Sequence, residues 1–271
     1  MSPTIARLVV DGHAHLHACY PASEFLRYAS GNAADLAREV GWTGATACVV
    51  LTEGAAEHGF DTLHSRAGQF VDGWLIERTQ EATSLVASAP PDRRLFVIAG
   101  TQVVCAERLE VLALGARIRD LDGLPLAAVL DVIRAAGAVP VVPWGVGKWL
   151  GERGELVRTT LAAASPGSLF LGDNGGRWSG LGTPREFALA DRRGIATLPG
   201  TDPLPLAHEV RRVGSYGFML EGPFEPEFPA RSVLDLILRL ARSPRVGGRR
   251  VGLRSFVRNQ VALRLRGPNT V

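Results

Sequence analysis

The sequence has few cysteines and almost no lysine. Its three cysteines, Cys19, Cys48 and Cys105, are widely spaced and odd in number, which argues against a disulfide framework and against a CxxC metal knuckle. We expect all three to be reduced, with Cys48 in the core and with reactivity still open for Cys19 and Cys105 near strand ends. The 30 basic residues include one lysine, Lys148, so arginine supplies nearly all of the positive charge.

Long hydrophobic runs and nucleotide-binding motifs are also missing. No charge-free stretch of about 18 apolar residues occurs, and the N-terminus lacks the basic and apolar regions of a secretory signal. We therefore expect a cytoplasmic protein without a membrane span. No glycine-rich dinucleotide or P-loop motif follows a predicted strand. The 271 residues, 46% of them hydrophobic, are enough for one large core or two small ones, and the lack of a linker favours a single domain over residues 1–271.

Positive charge is concentrated towards the C-terminus. The segment from Arg231 to Arg266 contains ten arginines and one acid, Asp235, in a region predicted to be helical from about residue 230. We interpret these arginines as the solvated face of amphipathic helices. An anionic partner for this basic region is the alternative.

Buried strands alternate with amphipathic helices along the chain. Helices are predicted at residues 22–40, 69–87, 155–164, 184–193 and 230–241. Nearly continuous apolar strands between helices are typical of parallel strands covered on both sides. Six or seven such strand-then-helix units favour an α/β barrel over an open sheet.

The most informative stretch is VVDGHAHLH, from Val9 to His17. In an extended strand, alternate side chains point to one face, about 6 to 7 Å apart, so His13 and His15 share a face. Two neutral imidazoles can together bind one divalent ion such as zinc, manganese or iron. We predict His13 and His15 to be metal ligands, whereas His17 lies beyond the predicted strand end. The alternative is that these histidines only bond to backbone carbonyls or solvent.

Other polar residues cluster directly after predicted strands, where a barrel would bring them to one mouth. Among them, Arg177 and Lys148 are candidates for holding an anionic group of a substrate. The segment GDNGGRW, which includes Asn174 and Arg177, is either a tight loop or an anion-binding turn. The residues at these strand ends are His13, His15, Glu53, Gln102, Lys148, Asp173, Arg177 and Asp202.

Five segments, taken in order, resemble the motifs of the PHP (polymerase and histidinol phosphatase) family of metal-dependent phosphoesterases, which is close in outline to the amidohydrolase superfamily. They are DGHAHLH, VVLTEG, GTQ, GLPLAAVLDVIRAAGAVPVVPWG and PGTDPL, and the resemblance extends to about Asp202. It implies an α/β fold, specifically the distorted TIM-like (β/α)7 barrel of the PHP type.

Carried over residue by residue, the resemblance implies a reduced metal site. His13 and His15 stand at ligand positions, Asp202 keeps a late carboxylate, and Glu53 replaces an aspartate. Gln102 stands where the family has a glutamate, and a neutral amide does not bridge two cations as a carboxylate does. We therefore expect one divalent ion, or at most two, on His13, His15, Asp202 and Glu53.

Further positions depart from the family pattern. Gly54 and Leu204 stand where histidines are expected, and Trp144 replaces the histidine of the family's AHP motif. Glu110 is a candidate substitute for another missing histidine. An indole binds no metal, but Trp144 can offer an apolar wall to a substrate. A full three-metal site is therefore not expected.

The resemblance implies a metal-dependent hydrolase acting on a phosphoester or another small anionic substrate. In this hypothesis Asp202 or Glu53 accepts the proton from water, and five residues surround the substrate: Arg177, Lys148, Asn174, Trp144 and Gln102. One alternative is a catalytically inactive PHP-like barrel that binds a ligand or a partner protein. Another is an amidohydrolase-type enzyme that cleaves C–N or C–O bonds. Nucleic acid is not an expected partner.

Overall fold

The computed structural model describes residues 4–265, in which twelve strands form one mixed sheet. The strands are β1 (Thr4–Ala14), β2 (Thr46–Glu53), β3 (Phe70–Val71), β4 (Trp74–Arg78), β5 (Ser84–Ala89), β6 (Arg93–Val104), β7 (Glu110–Leu114), β8 (Val139–Pro143), β9 (Phe170–Asn174), β10 (Thr197–Gly200), β11 (Tyr216–Phe224) and β12 (Arg245–Gly248). The helices are α1 (Ala22–Glu39), α2 (Gly59–Ser65), α3 (Leu126–Ala135), α4 (Gly151–Ala163), α5 (Arg185–Arg192), α6 (Pro229–Leu238) and α7 (Leu253–Leu265), and a 3₁₀ helix covers Ala207–Arg212.

The sheet curls into a barrel that is nearly closed. Its main path runs β10-β9-β8-β7-β6-β2-β1-β11-β12, and β3, β4 and β5 branch from β6. The pairs β1–β2, β2–β6, β8–β9 and β9–β10 are parallel. Pairs such as β6–β7, β7–β8 and β1–β11 are antiparallel, so the expected parallel arrangement holds for only part of the sheet.

Alternation along each strand divides the core into an inner and an outer layer. Leu8 and Val10 of β1 and Val50 of β2 point inward and pack with one another inside the barrel. Val9 faces the other way and packs beneath α1, while a second outer cluster lies under α3, α4 and α5. Cys48 is buried in the inner layer, as predicted.

Several predicted helices are confirmed with small shifts at their ends. The helix α1 covers the predicted segment and is followed by Gly41, whose φ of +75° is the left-handed conformation that favours glycine after a helix. The helices α4, α5 and α6 also lie in predicted segments. The C-terminal region is not wholly helical, because β12 lies between α6 and α7. Within residues 4–265, no helix is long and apolar enough to cross a membrane.

The helix predicted at residues 69–87 is wrong, because this segment forms β3, β4 and β5. Asp72 and Gly73 have φ values of +46° and +88°, so the dipeptide makes the two-residue hairpin turn that needs positive φ at both positions. Beyond the turn, Trp74 and Ile76 are buried while Leu75 between them is less so. That alternation has the period of a strand, not of a helix.

Candidate metal centre

The end of β1 brings two imidazoles together. The ladder between β1 and β2 shifts register between Asp11 and Ala14, and His13 and His15 both lie buried at this irregular strand end. Their Nε2 atoms are 3.1 Å apart. Burial lowers the pKa of His13, which favours the neutral imidazole that binds metal.

Asp202, in the loop after β10, lies beside these two histidines. Its φ is +43°, and its backbone N–H donates to the His13 carbonyl at 2.7 Å, so main-chain geometry aims its carboxylate at β1. Its Oδ1 lies 3.5 Å from Nε2 of His13 and 3.6 Å from Nε2 of His15. Burial acts to raise the pKa of Asp202, but the two imidazoles outweigh it and the pKa is lowered.

The separations between these three donor atoms fit one ion. A tetrahedral site with metal–ligand bonds of about 2.0 to 2.1 Å requires ligand atoms about 3.3 to 3.4 Å apart. The separations among His13, His15 and Asp202 are 3.1, 3.5 and 3.6 Å. Within residues 4–265, these three residues form a group that could hold a metal. Gln102 adds a neutral oxygen, Oε1, at 3.1 Å from Nε2 of His13.

Glu57 contacts the Nδ1 atoms of His15 and His17, on the side of each ring away from Nε2. Its carboxylate lies 2.8 Å from Nδ1 of His15 and 2.8 Å from Nδ1 of His17, and it accepts the Gly54 N–H at 2.9 Å. Burial acts to raise the pKa of Glu57, but these histidine contacts hold it well below its usual range. A carboxylate on Nδ1 leaves Nε2 of His15 facing the other ligands, which is the usual arrangement at metal sites.

The sequence reasoning missed Glu57, which lies in a polar segment interpreted only as loop. An acid shortly after β2 was the available signal, but nothing in the spacing related it to His15. His17 has its second ring nitrogen, Nε2, 2.8 Å from the Pro203 carbonyl. Both nitrogens of His17 are therefore already in contact with oxygen atoms.

Asp11 anchors the centre without belonging to it. Its buried carboxylate accepts backbone N–H groups from Thr201 at 2.8 Å, Gly214 at 2.9 Å and His13 at 3.2 Å, and also the Thr201 hydroxyl. Burial raises the pKa of Asp11 to about 6, although these hydrogen bonds act against the rise. The contacts fasten β1 to the loops on either side of the 3₁₀ helix.

Three more predicted residues lie around the centre. Asn174 donates its amide to Oδ2 of Asp202, and Lys148 forms an ion pair with Glu110. Both charges of that pair affect the pKa values of the candidate metal ligands. After the larger effects of burial, Glu110 acts to raise the pKa of His13 and Lys148 acts to lower that of Asp202.

Glu53 lies outside the group formed by the two histidines and Asp202. Its Oε1 accepts the Phe60 N–H at 2.8 Å, at the beginning of α2, and burial raises its pKa. It lines a small cleft together with Glu57 and Gln102, with a volume of about 120 Å³. Arg117 also lines this cleft, which opens beside the centre.

Arg177 is buried in an ion pair with Asp173. Its Nε and Nη2 atoms lie 2.8 and 3.0 Å from the two oxygens of Asp173, and the Tyr216 hydroxyl donates to the same carboxylate. The guanidinium lies 5.7 Å from the Trp144 ring and 5.6 Å from the Phe187 ring, and Trp144 packs on the outer cluster. The donors that an anion clamp would use are thus already paired.

No protein-family model and no curated protein matches the sequence. PsfC from Pseudomonas syringae has a similar fold, with a TM-score of 0.55 and 18% identity over 96% of this chain and 98% of that one. PfuEndoQ, a lesion-specific endonuclease from Pyrococcus furiosus, gives a TM-score of 0.47 and 14% identity over 85% of this chain and 56% of that one. Endonuclease Q in complex with a 27-mer duplex carrying an abasic lesion gives 0.47 and 12%, over 86% of this chain and 57% of that one. This chain spans little more than half the length of those endonucleases, and at 18% identity the likeness to PsfC concerns the fold alone.

Proposed function

We propose that this chain is a metal-dependent hydrolase of the PHP type, acting on a phosphoester or another small anionic substrate. The observation that carries the proposal is the group formed by the buried His13 and His15 and the half-buried Asp202, whose donor atoms are 3.1 to 3.6 Å apart. Two imidazoles and one carboxylate suit zinc, manganese or iron, and three protein ligands leave a position open for water.

The proposal assigns a single divalent ion to this group. Each additional ion would need anionic bridging ligands to offset the repulsion between cations. Gln102 faces His13 with a neutral oxygen, and Glu57 is turned to the Nδ1 atoms of the histidines. A divalent ion bound here would supply Lewis-acid chemistry for hydrolysis.

The surrounding residues have separate roles in this proposal. Glu53 is the candidate proton acceptor, because burial raises its pKa towards the range in which a carboxylate can take up a proton. Lys148 would attract the anionic substrate, while Asn174 orients the carboxylate of Asp202. Gln102 would donate its amide N–H to the substrate. Arg177 and Trp144 would not contact the substrate but would hold the loop after β9 in place.

Metal analysis of purified protein tests the proposal. We expect about one equivalent of zinc, manganese or iron per chain and its loss in the double variant His13→Ala/His15→Ala. The matched control is His58→Ala, which removes an exposed imidazole from the segment before α2. Two or three equivalents per chain that are lost in the double variant, or an unchanged metal content in that variant, would contradict the single-ion centre.

A substrate panel then separates the remaining functions. We expect turnover of a phosphomonoester or phosphodiester to exceed that of a lactone or an amide. The reverse order would favour the amidohydrolase-type alternative, because the same ligand set also serves C–N and C–O hydrolysis. Metal binding without turnover of any of them would favour an inactive barrel that binds a ligand or a partner protein. Duplex DNA belongs in the panel, since the absence of a nucleic-acid partner is still a prediction.

A further inference from the structure

A second cleft opens where the barrel fails to close. The strands β10 and β12 are the two ends of the sheet path, and a space of about 620 Å³ lies between them beside α5. This is within the range of about 300 to 1,000 Å³ that is usual for small-molecule sites. We call it the seam cleft; its lining includes Asp173, Arg177, Ser179, Phe187, Arg249 and Arg250.

The seam cleft carries positive charge without a protein partner. Nη1 of Arg250 is buried and makes no hydrogen bond within residues 4–265. In the same part of the chain, neither Arg249 nor Arg250 forms an ion pair with a carboxylate. The lining contains two acids: Asp173 is paired with Arg177, and Asp191 accepts the Ser243 hydroxyl at 3.2 Å. A buried donor of a charged group without an acceptor destabilises the folded protein. An anion in the cleft would relieve that cost.

The rest of the lining suits a phosphate group attached to an organic body. Ser179 and Thr183 present hydroxyl groups, which donate to phosphate oxygens as readily as to carboxylates. Phe187 of α5 and Val246 of β12 supply apolar surface to the lining. Guanidinium groups beside hydroxyls are a common arrangement for binding phosphate oxygens.

We infer that the seam cleft binds a small molecule carrying a phosphate monoester or phosphonate group, with Arg250 and Arg249 holding the anion. The organic part of the ligand packs against Phe187 and Val246. Asp173 and Asn174 are consecutive residues of β9, so their side chains point to opposite faces of the strand. Asp173 lines the seam cleft whereas Asn174 contacts Asp202, and the seam cleft is therefore separate from the metal centre. The inference does not depend on the proposed hydrolase function.

Calorimetric titration of chelator-treated protein with phenylphosphonate tests the inference, since the chelator removes any anion binding that requires the metal. We expect one equivalent to bind, and to bind more tightly than inorganic phosphate because the phenyl ring contacts the apolar wall. Loss of a charge-assisted hydrogen bond in Arg250→Met should weaken binding by about tenfold or more. The control Arg242→Ala, an exposed arginine of the same region outside the cleft lining, should bind as the unmodified protein does.

Arg249→Ala and Ser179→Ala give the same test if Arg250→Met does not fold. The double variant His13→Ala/His15→Ala should retain phenylphosphonate binding, which separates this site from the metal centre. The inference is overturned if the unmodified protein binds no phenylphosphonate at millimolar concentration. It is equally overturned if the variants of the cleft bind as tightly as Arg242→Ala, or if phosphate and phenylphosphonate bind equally well.

Discussion

Glu57 and Glu53 lie four residues apart, yet the structure predicts opposite consequences for their replacement by glutamine. Glu57 contacts Nδ1 of His15 and Nδ1 of His17, each at 2.8 Å. A glutamine can keep an oxygen on one imidazole but turns an N–H group towards the other contact. If His15 then moves its proton to Nε2, that nitrogen loses the lone pair that a metal ion needs.

The expected loss follows from this geometry. Removing a carboxylate that orients a metal-binding histidine typically lowers metal affinity by about 10- to 100-fold, or about 1.4 to 2.8 kcal/mol. We expect Glu57→Gln to fall in that range. Glu53→Gln can still accept the Phe60 N–H and should change metal affinity by less than about threefold, since Glu53 contacts neither histidine. Its activity should fall by about 100-fold or more, because the amide cannot take up a proton.

Competition for zinc against a chromophoric chelator at pH 8 measures both affinities, and urea unfolding checks that each variant is folded. The reasoning is refuted if Glu57→Gln binds zinc as tightly as the unmodified protein. Equal losses of affinity in the two variants would instead place Glu53 among the metal ligands.

Three further predictions concern stability and reactivity. Asp11→Ala leaves three buried N–H groups without an acceptor. The free energy of unfolding, measured by urea titration with chelator present, should fall by about 3 to 5 kcal/mol. A loss below about 1 kcal/mol would contradict this. Arg177→Leu leaves its buried carboxylate partner unpaired and should cost about 3 to 5 kcal/mol in the same assay, whereas an unchanged midpoint would show that the pair is dispensable. Cys19 is exposed, whereas burial raises the pKa values of Cys48 and Cys105 to about 12, so mass spectrometry after brief iodoacetamide treatment should find only Cys19 modified.

The sequence was most informative where chemistry and periodicity agreed. The spacing of His13 and His15 after an apolar strand was enough to bring them to one place, and the late Asp202 lies with them. The left-handed backbone at Asp202 could not be anticipated, because most aspartates keep negative φ and no turn signal such as Asp72-Gly73 marks this position. The support from Glu57 depends on how the segment after β2 folds back, which no local pattern encodes.

Residues 69–87 carry a local hairpin signal that argues against the predicted helix. Asp72-Gly73 is a strong two-residue hairpin signal, and it stands between aromatic and branched residues that favour strands. Apolar positions in a short window can match both a helix and a strand. The predicted parallel arrangement holds for only part of the sheet, since hairpins such as β6–β7 can replace a crossover helix without changing the apolar content of the strands.

The hydrogen bond from Asp202 to the His13 carbonyl also bears on when the centre can assemble. The imidazoles belong to β1 and the residue just after it, whereas their carboxylate partner is synthesised only after β10. A nascent chain that ends at β9 therefore carries both histidines but no third ligand and no donor to fix the His13 carbonyl. An ion captured afterwards would cross-link two points almost the whole barrel apart in sequence, which restricts the unfolded chain far more than a local metal loop would.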